Sequence, residues 1–167
     1  GVVGDQGRIE AAAAESHGGA YGFAGHTFID ATGNGDLGEA AGVPFASGHP
    51  RSGMIQPATL FALVSGVPEG FETRGREDKR AFREILNSVG IEPTYKSPSM
   101  FLLPHPQIWC LMTNHQYDVR CDSARKVTEA TLEARRELHQ TVSRLRDLPE
   151  WAELRIVATG DHIRLRE

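Results

Sequence analysis

The sequence predicts an α+β fold, and three observations carry that reading. Residues 1 to 30 hold short β-type runs separated by hairpin-type breaks. The stretch "FIDATGNGDLGEAAG", residues 28 to 42, passes from an apolar run through a glycine-rich turn into a brief helical stretch. From about Ser123 to Arg146, apolar residues recur at helical spacing.

The elements follow in order. "GVV" and "RIEAAAAES" flank Asp5-Gln6-Gly7, and Gly18-Gly19 separates the second run from "AYGFAGHTFIDA". These runs read as a β-meander whose last strand ends at Ala31. Ala11 to Ala14 are compatible with helix, but the flanking glycines and the short spacing favour strand. A short helix over Leu37 to Ala41 is stopped by Gly42 and Pro44. After Pro44, "ATLFALVSG" has the continuous apolar character of a buried strand. Glu77 to Val89 form a helix with Phe82, Ile85, Leu86 and Val89 on one face, and Gly90 ends it. "MFLLPHPQIWCLMT" reads as two strands about a proline-bounded turn. The long helix is expected to be capped by Asp122. Val127, Thr131, Ala134, Leu138, Val142 and Leu145 make its apolar stripe, with Arg135, Arg136, Arg144 and Arg146 on its wet side. "LRIVAT" returns as a strand.

Composition narrows the function classes. The chain has 167 residues, enough for one domain or two small lobes with a real core. A net charge of −4 with 40% hydrophobic residues indicates a soluble globular protein and no basic nucleic-acid surface. No apolar run approaches the roughly 18 residues of a transmembrane helix, and no signal-peptide pattern opens the chain. Cys110 and Cys121 form no CxxC and no metal-ligand spacing, so free thiols in a reducing, cytoplasmic compartment are expected. The histidines do not cluster, so no metal is expected. There is no G-x-S-x-G and no Ser/His/Asp ordering of the hydrolase kind.

The turn spells G-x-G-x-x-G at Gly33, Gly35 and Gly38. A first Rossmann turn also needs a crossover helix, a second parallel strand and an acidic residue about 20 positions on. Gly42 and Pro44 end the helix too early, and neither Asp nor Glu occurs between Glu39 and Glu69. The turn is therefore not the first Rossmann turn. The residues alone leave open a packed strand-to-helix turn or an anion-facing one, since glycines allow close backbone approach and helix N-termini present N–H groups.

The order of blocks adds a resemblance. "FIDATGNGDL", "AAGVPF", "MIQPATLFALVSGV", "QIWCLMTNHQYDV", "EATLEARRELHQTVSRLR" and "LRIVATGDHIRLRE" together resemble FAD-dependent oxidoreductases. The branch is the one distantly related to the fumarate reductase and succinate dehydrogenase flavoproteins. "IDATGxGD" is the specific block; the later ones count by their order. The resemblance implies an internal fragment of a larger flavoprotein, lacking the N-terminal Rossmann βαβ unit. Residues 1–45 would be the second part of the FAD-binding domain, with meander, ATG strand and ATGxGD turn. Residues 46–167 would be a mixed α+β substrate-side or cap lobe. The implied activity is hydride or electron transfer on an unidentified small organic substrate, with FAD as cofactor. No nucleic acid or membrane partner is expected. The isolated chain is expected to be inactive and to self-associate through open strand edges. The other reading is a non-catalytic α+β binding or assembly module.

The resemblance also implies site residues. Backbone around Ala31, Thr32 and Gly33 would pack against FAD, with Asn34, Gly35 and Asp36 near its phosphates or ribityl chain. A carboxylate at Asp36 can accept from a flavin hydroxyl; its bland alternative is a helix N-cap. Asn34 stands where many relatives carry Asp. Gln56-Pro57-Ala58-Thr59 resembles the segment beside the isoalloxazine in fumarate reductase relatives, approximately "QFHPT", but lacks the histidine. Gln56 is read either as a donor to a flavin edge or substrate carbonyl, or as a polar residue entering a strand. Arg164, Arg166 and Glu167 resemble the "R-E" segment that precedes the return to the flavin. Arg166 would bind a carboxylate substrate or stabilise charge on reduced flavin; the alternative is a surface ion pair. His162 is read as a proton donor or as simply exposed.

Overall fold

A computed structural model describes residues 1–5, 7–120 and 123–165. The fold is α+β, and the chain divides into two compact units, Gly1–Gly53 and Met54–Glu167.

In the first unit, β1 (Val2–Asp5), β2 (Arg8–Ser16) and β3 (Gly19–Ala24) form an antiparallel sheet in that order. Alanine prefers helix in isolation. Here Ala11 and Ala12 are paired on both sides, with Val3 and Val2 on β1 and with Ala24 and Phe23 on β3, so ladder pairing overrides the propensity. The last strand stops at Ala24, not at Ala31. The register explains why it cannot reach Ala31. Ala11 opposes Ala24, so continuing β3 would set Phe28 opposite Gly7, in the turn before β2. Residues 26–31 have no ladder partner among the described residues, and the Asp30 carboxylate turns the chain instead. A short helix, α1 (Asp36–Ala40), follows. No described side chain in residues 1–53 is buried.

The second unit holds the core. Its strands are β4 (Ala62–Ser65), β5 (Ser99–Leu102), β6 (Trp109–Met112) and β7 (Arg155–Thr159), in the sheet order β5-β6-β4-β7. Every strand pair found in the two sheets is antiparallel. The central chain alternates with period two: Ala58, Leu60, Ala62 and Val64 are buried, and Thr59, Phe61, Leu63 and Ser65 are partly so. β5 and β6 form the expected hairpin, with Met100 opposite Leu111. Two helices, α2 (Arg76–Ser88) and α3 (Ala124–Leu145), add Phe82, Leu86, Ala134 and Leu138 to the same apolar cluster. Phe71 meets Phe82 edge-on at 5.2 Å and Trp151 at 4.9 Å between ring centroids.

Polar pins complete this unit. Asn114 is fully buried; its Oδ1 accepts the Leu60 N–H at 3.0 Å and its Nδ2 donates to the Leu60 carbonyl at 2.9 Å. Ala62 pairs with Leu111 and Ala58 with Gln116, so four steps on one side face five on the other. The Asn114 amide stands in for the backbone rung that this bulge interrupts. Asp122, the expected cap of α3, lies outside the described residues; Ser123 is the N-cap, its Oγ accepting the Lys126 N–H at 3.3 Å. Among the described residues no helix is long and apolar enough to cross a membrane.

Candidate functional site

Ala31, Thr32, Gly33, Asn34, Gly35 and Asp36 lie together in one exposed turn. Asp30, just upstream, organises it. Its Oδ1 accepts from the Thr32 N–H at 3.0 Å and from the Thr32 hydroxyl at 2.7 Å, while Oδ2 accepts from the Gly38 N–H at 2.9 Å. Those donors, the Thr32 N–H foremost, hold the Asp30 carboxyl below its ordinary range. Thr32 Oγ1 in turn accepts the Asp36 N–H at 2.8 Å.

The alternative role expected for Asp36, helix N-cap, is not the one it takes. Gly35 is the N-cap residue of α1, Asp36 is the first helical residue, and the carboxylate serving the N-terminus is that of Asp30. Gly33 and Gly35 have φ of 85° and 76°, the left-handed region that glycine enters without strain. A Cβ at either would meet nothing within 4 Å, so space lies open above both. Among the described residues, no acceptor meets the amides of Gly33, Asn34 or Gly35. The turn therefore offers close backbone approach, outward N–H groups and an exposed Asp36 carboxylate.

In the second unit, Gln56 is exposed, three residues before Thr59. Thr59 pairs with Arg164 in an antiparallel bridge, with N–O distances of 3.0 and 2.9 Å. His162 is exposed, its Nδ1 2.9 Å from Asp161 Oδ1, which leaves Nε2 as the nitrogen not engaged by Asp161. Asp161 is held below the ordinary carboxylate range, first by the His162 N–H and then by its ring. Arg166 lies outside the described residues.

Helix α3 holds the segment that carries His162. The guanidinium of Arg135 donates to Thr159 Oγ1 at 3.3 Å and to the carbonyls of Gly160 and Asp161 at 2.9 and 3.2 Å. One turn earlier, Thr131 Oγ1 accepts the Ile163 N–H at 3.1 Å. Arg135 is thus not on the wet side expected for it: it is half-buried, because loop carbonyls without a ladder partner need donors.

Sequence reasoning also missed Asp30, Asn114 and Glu137. Asp30 was legible as an Asp two residues before a Thr, a pattern that bonds its own backbone. Glu137 accepts from the Thr94 hydroxyl at 2.9 Å and from Gln116 Nε2 at 3.4 Å, and burial pushes its carboxyl upward. Nothing in the local sequence marks Asn114 or Glu137, since their partners lie 54 and 43 residues away.

The family model described as FAD dependent oxidoreductase matches residues 1–167. The chain belongs to that family. No curated protein and no solved structure matches it. Membership brings a redox function and FAD as the family's cofactor. The glycine turn fits that cofactor: open space over Gly33 and Gly35 admits a flat or phosphorylated ligand against the backbone, and their amides have donors to give.

Proposed function

We propose that this FAD-dependent oxidoreductase family member contributes the second side of a flavin groove and most of a substrate lobe to hydride or electron transfer on a small organic substrate. The observation that carries the reading is the glycine turn closed by Asp30, within a chain that matches the family from end to end. Residues 1–45 form the flavin side and 46–167 the substrate side. The kinship with fumarate reductase flavoproteins is part of the proposal, resting on "IDATG" and the order of blocks. So is work within a longer polypeptide: residues 1–53 bury no described side chain, and Ile29 is 85% exposed.

When bound, FAD supplies the redox chemistry. The chain's residues bind and orient. Backbone of Ala31, Thr32 and Gly33 would hold the cofactor, and the amides of Asn34 and Gly35 would donate to its oxygens. Asp36 would accept from a flavin hydroxyl. On the substrate side, Gln56 donates to a carbonyl, Arg166 pairs with a carboxylate, and His162 delivers a proton from Nε2 while Asp161 holds Nδ1.

Gly35→Val in the FAD-loaded protein tests this reading. The added side chain has room, so the fold is retained, but its unfavourable φ reshapes the turn, and FAD affinity falls by about tenfold or more, a loss of at least ~1.4 kcal/mol. Full flavin content in a folded Gly35→Val variant would refute the groove assignment. The second reading, a non-catalytic binding or assembly module, draws on the exposed Phe23 and Phe45. A longer polypeptide carrying these residues that purifies colourless would favour it.

A further inference from the structure

Within the second unit, a recess lies between the C-terminal half of α3 and the start of β7. It measures about 200 Å³ and sets His139, Ser143, Arg146 and Arg155 around a floor of Val142, Leu154 and Ile156. At ~30 Å³ per water that is room for about six or seven waters, below the roughly 300 Å³ at which drug-sized sites begin.

Its charge is unlike the rest of the molecule. The chain carries a net charge of −4, yet no carboxylate lines this cleft. Elsewhere on α3, Arg125 pairs with Glu129, Arg136 with Glu133, and Arg144 with Asp147. Among the described residues Arg146 has no such partner. Arg155 is held in place: Nη1 donates to the carbonyls of Ala152 at 2.6 Å and Leu154 at 2.9 Å. Its Nη2 stands 3.8 Å from Glu153, the same separation as Arg144 from Asp147, so Arg146 is the lining arginine without a described carboxylate partner. Arginines in the last turn of a helix ordinarily offset the helix dipole. That role accounts for Arg144 and Arg146 but not for Arg155, which comes from a different element and faces the same recess.

We propose that this cleft binds a small organic anion, its carboxylate or phosphate head between Arg146 and Arg155 and its short apolar body on Val142, Leu154 and Ile156. A guanidinium fixed by backbone carbonyls, with an exposed second one lining the same cleft, gives planar recognition of an oxyanion. Ser143 adds a hydroxyl donor. The inference is independent of the flavin reading, since it uses only the second unit.

Calorimetric titration of the chain with inorganic phosphate, butyrate and butyramide tests it. Butyrate, phosphate or both should bind with dissociation constants of about 1 mM or tighter, and butyramide should not bind. Which of the two anions binds identifies the head group. Arg146→Gln should weaken binding at least about tenfold, while Arg144→Gln, a control already paired with Asp147, should leave it unchanged. Circular dichroism checks that both variants fold; Arg146 is exposed, outside the core. Equal binding of butyramide, indifference to Arg146→Gln, or no saturable binding of either anion would overturn the proposal.

Discussion

Asn114→Ala is the sharpest test of how the central strand is held. Leu60 and Asn114 are 1% and 0% exposed, so water cannot replace the lost amide. The substitution orphans the Leu60 N–H and its carbonyl together, at 3.0 and 2.9 Å from their present partners. Each stranded buried group costs about 1–3 kcal/mol, so the pair costs roughly 4 kcal/mol. That is a large share of the 5–15 kcal/mol typical of a whole domain. At about 3 °C per kcal/mol for a chain of this size, the melting temperature should fall by about 12 °C. Asn114→Asp separates the two bonds. Its carboxylate still accepts from the Leu60 N–H but, when ionised, turns a charge toward the Leu60 carbonyl; protonated, it regains a donor. Its stability should therefore rise as pH falls, unlike that of Asn114→Ala. Urea unfolding across pH reads both effects. A loss under about 0.5 kcal/mol in Asn114→Ala, the scale of an ordinary surface change, would refute the pin.

Three further outcomes rest on the same packing and chemistry. Burial raises the Glu137 carboxyl, so its contribution is fully present below the ordinary carboxylate pKa and is lost as pH rises through the elevated folded value; Glu137→Gln should abolish that component of the stability–pH curve measured by urea unfolding. Trp151→Ala removes a 1%-exposed side chain packed on Phe71 and Phe82 and should cost about 3–5 kcal/mol by thermal denaturation. FAD titrated into the 167-residue chain should bind weakly or not at all by flavin fluorescence, because the strands described pair only antiparallel and so provide no βαβ turn for the pyrophosphate; tight stoichiometric binding would refute the proposal that the pyrophosphate is held by a further segment of a longer polypeptide.

What the sequence made legible is what depends on local pattern. The meander, the β5–β6 hairpin and both long helices follow from turn residues and apolar spacing, and they stand within a residue or two of the expected bounds. The exception at Ala31 is instructive. "TFIDA" has strand composition, but a strand also needs a partner, and the register carries it past the end of β2. Composition reports what a segment prefers, whereas pairing depends on what lies beside it. The same limit hid Arg135. On a helical wheel it belongs with Arg136 and Arg144, and only the approach of residues 159–161 to α3 turns it into a clamp.

That clamp bears on how His162 should be weighed. A lone exposed histidine carries little weight in a sequence, because most are mere surface. Here its neighbours are fixed from three directions: Arg135 takes the carbonyls of Gly160 and Asp161, Thr131 takes the Ile163 N–H, and Thr59 pairs with Arg164. The backbone on both sides of the imidazole is thereby positioned while the ring itself stays accessible, with Nδ1 held by Asp161. The proton-delivery role proposed for His162 needs such support, since a site is only as well placed as the shell that holds it.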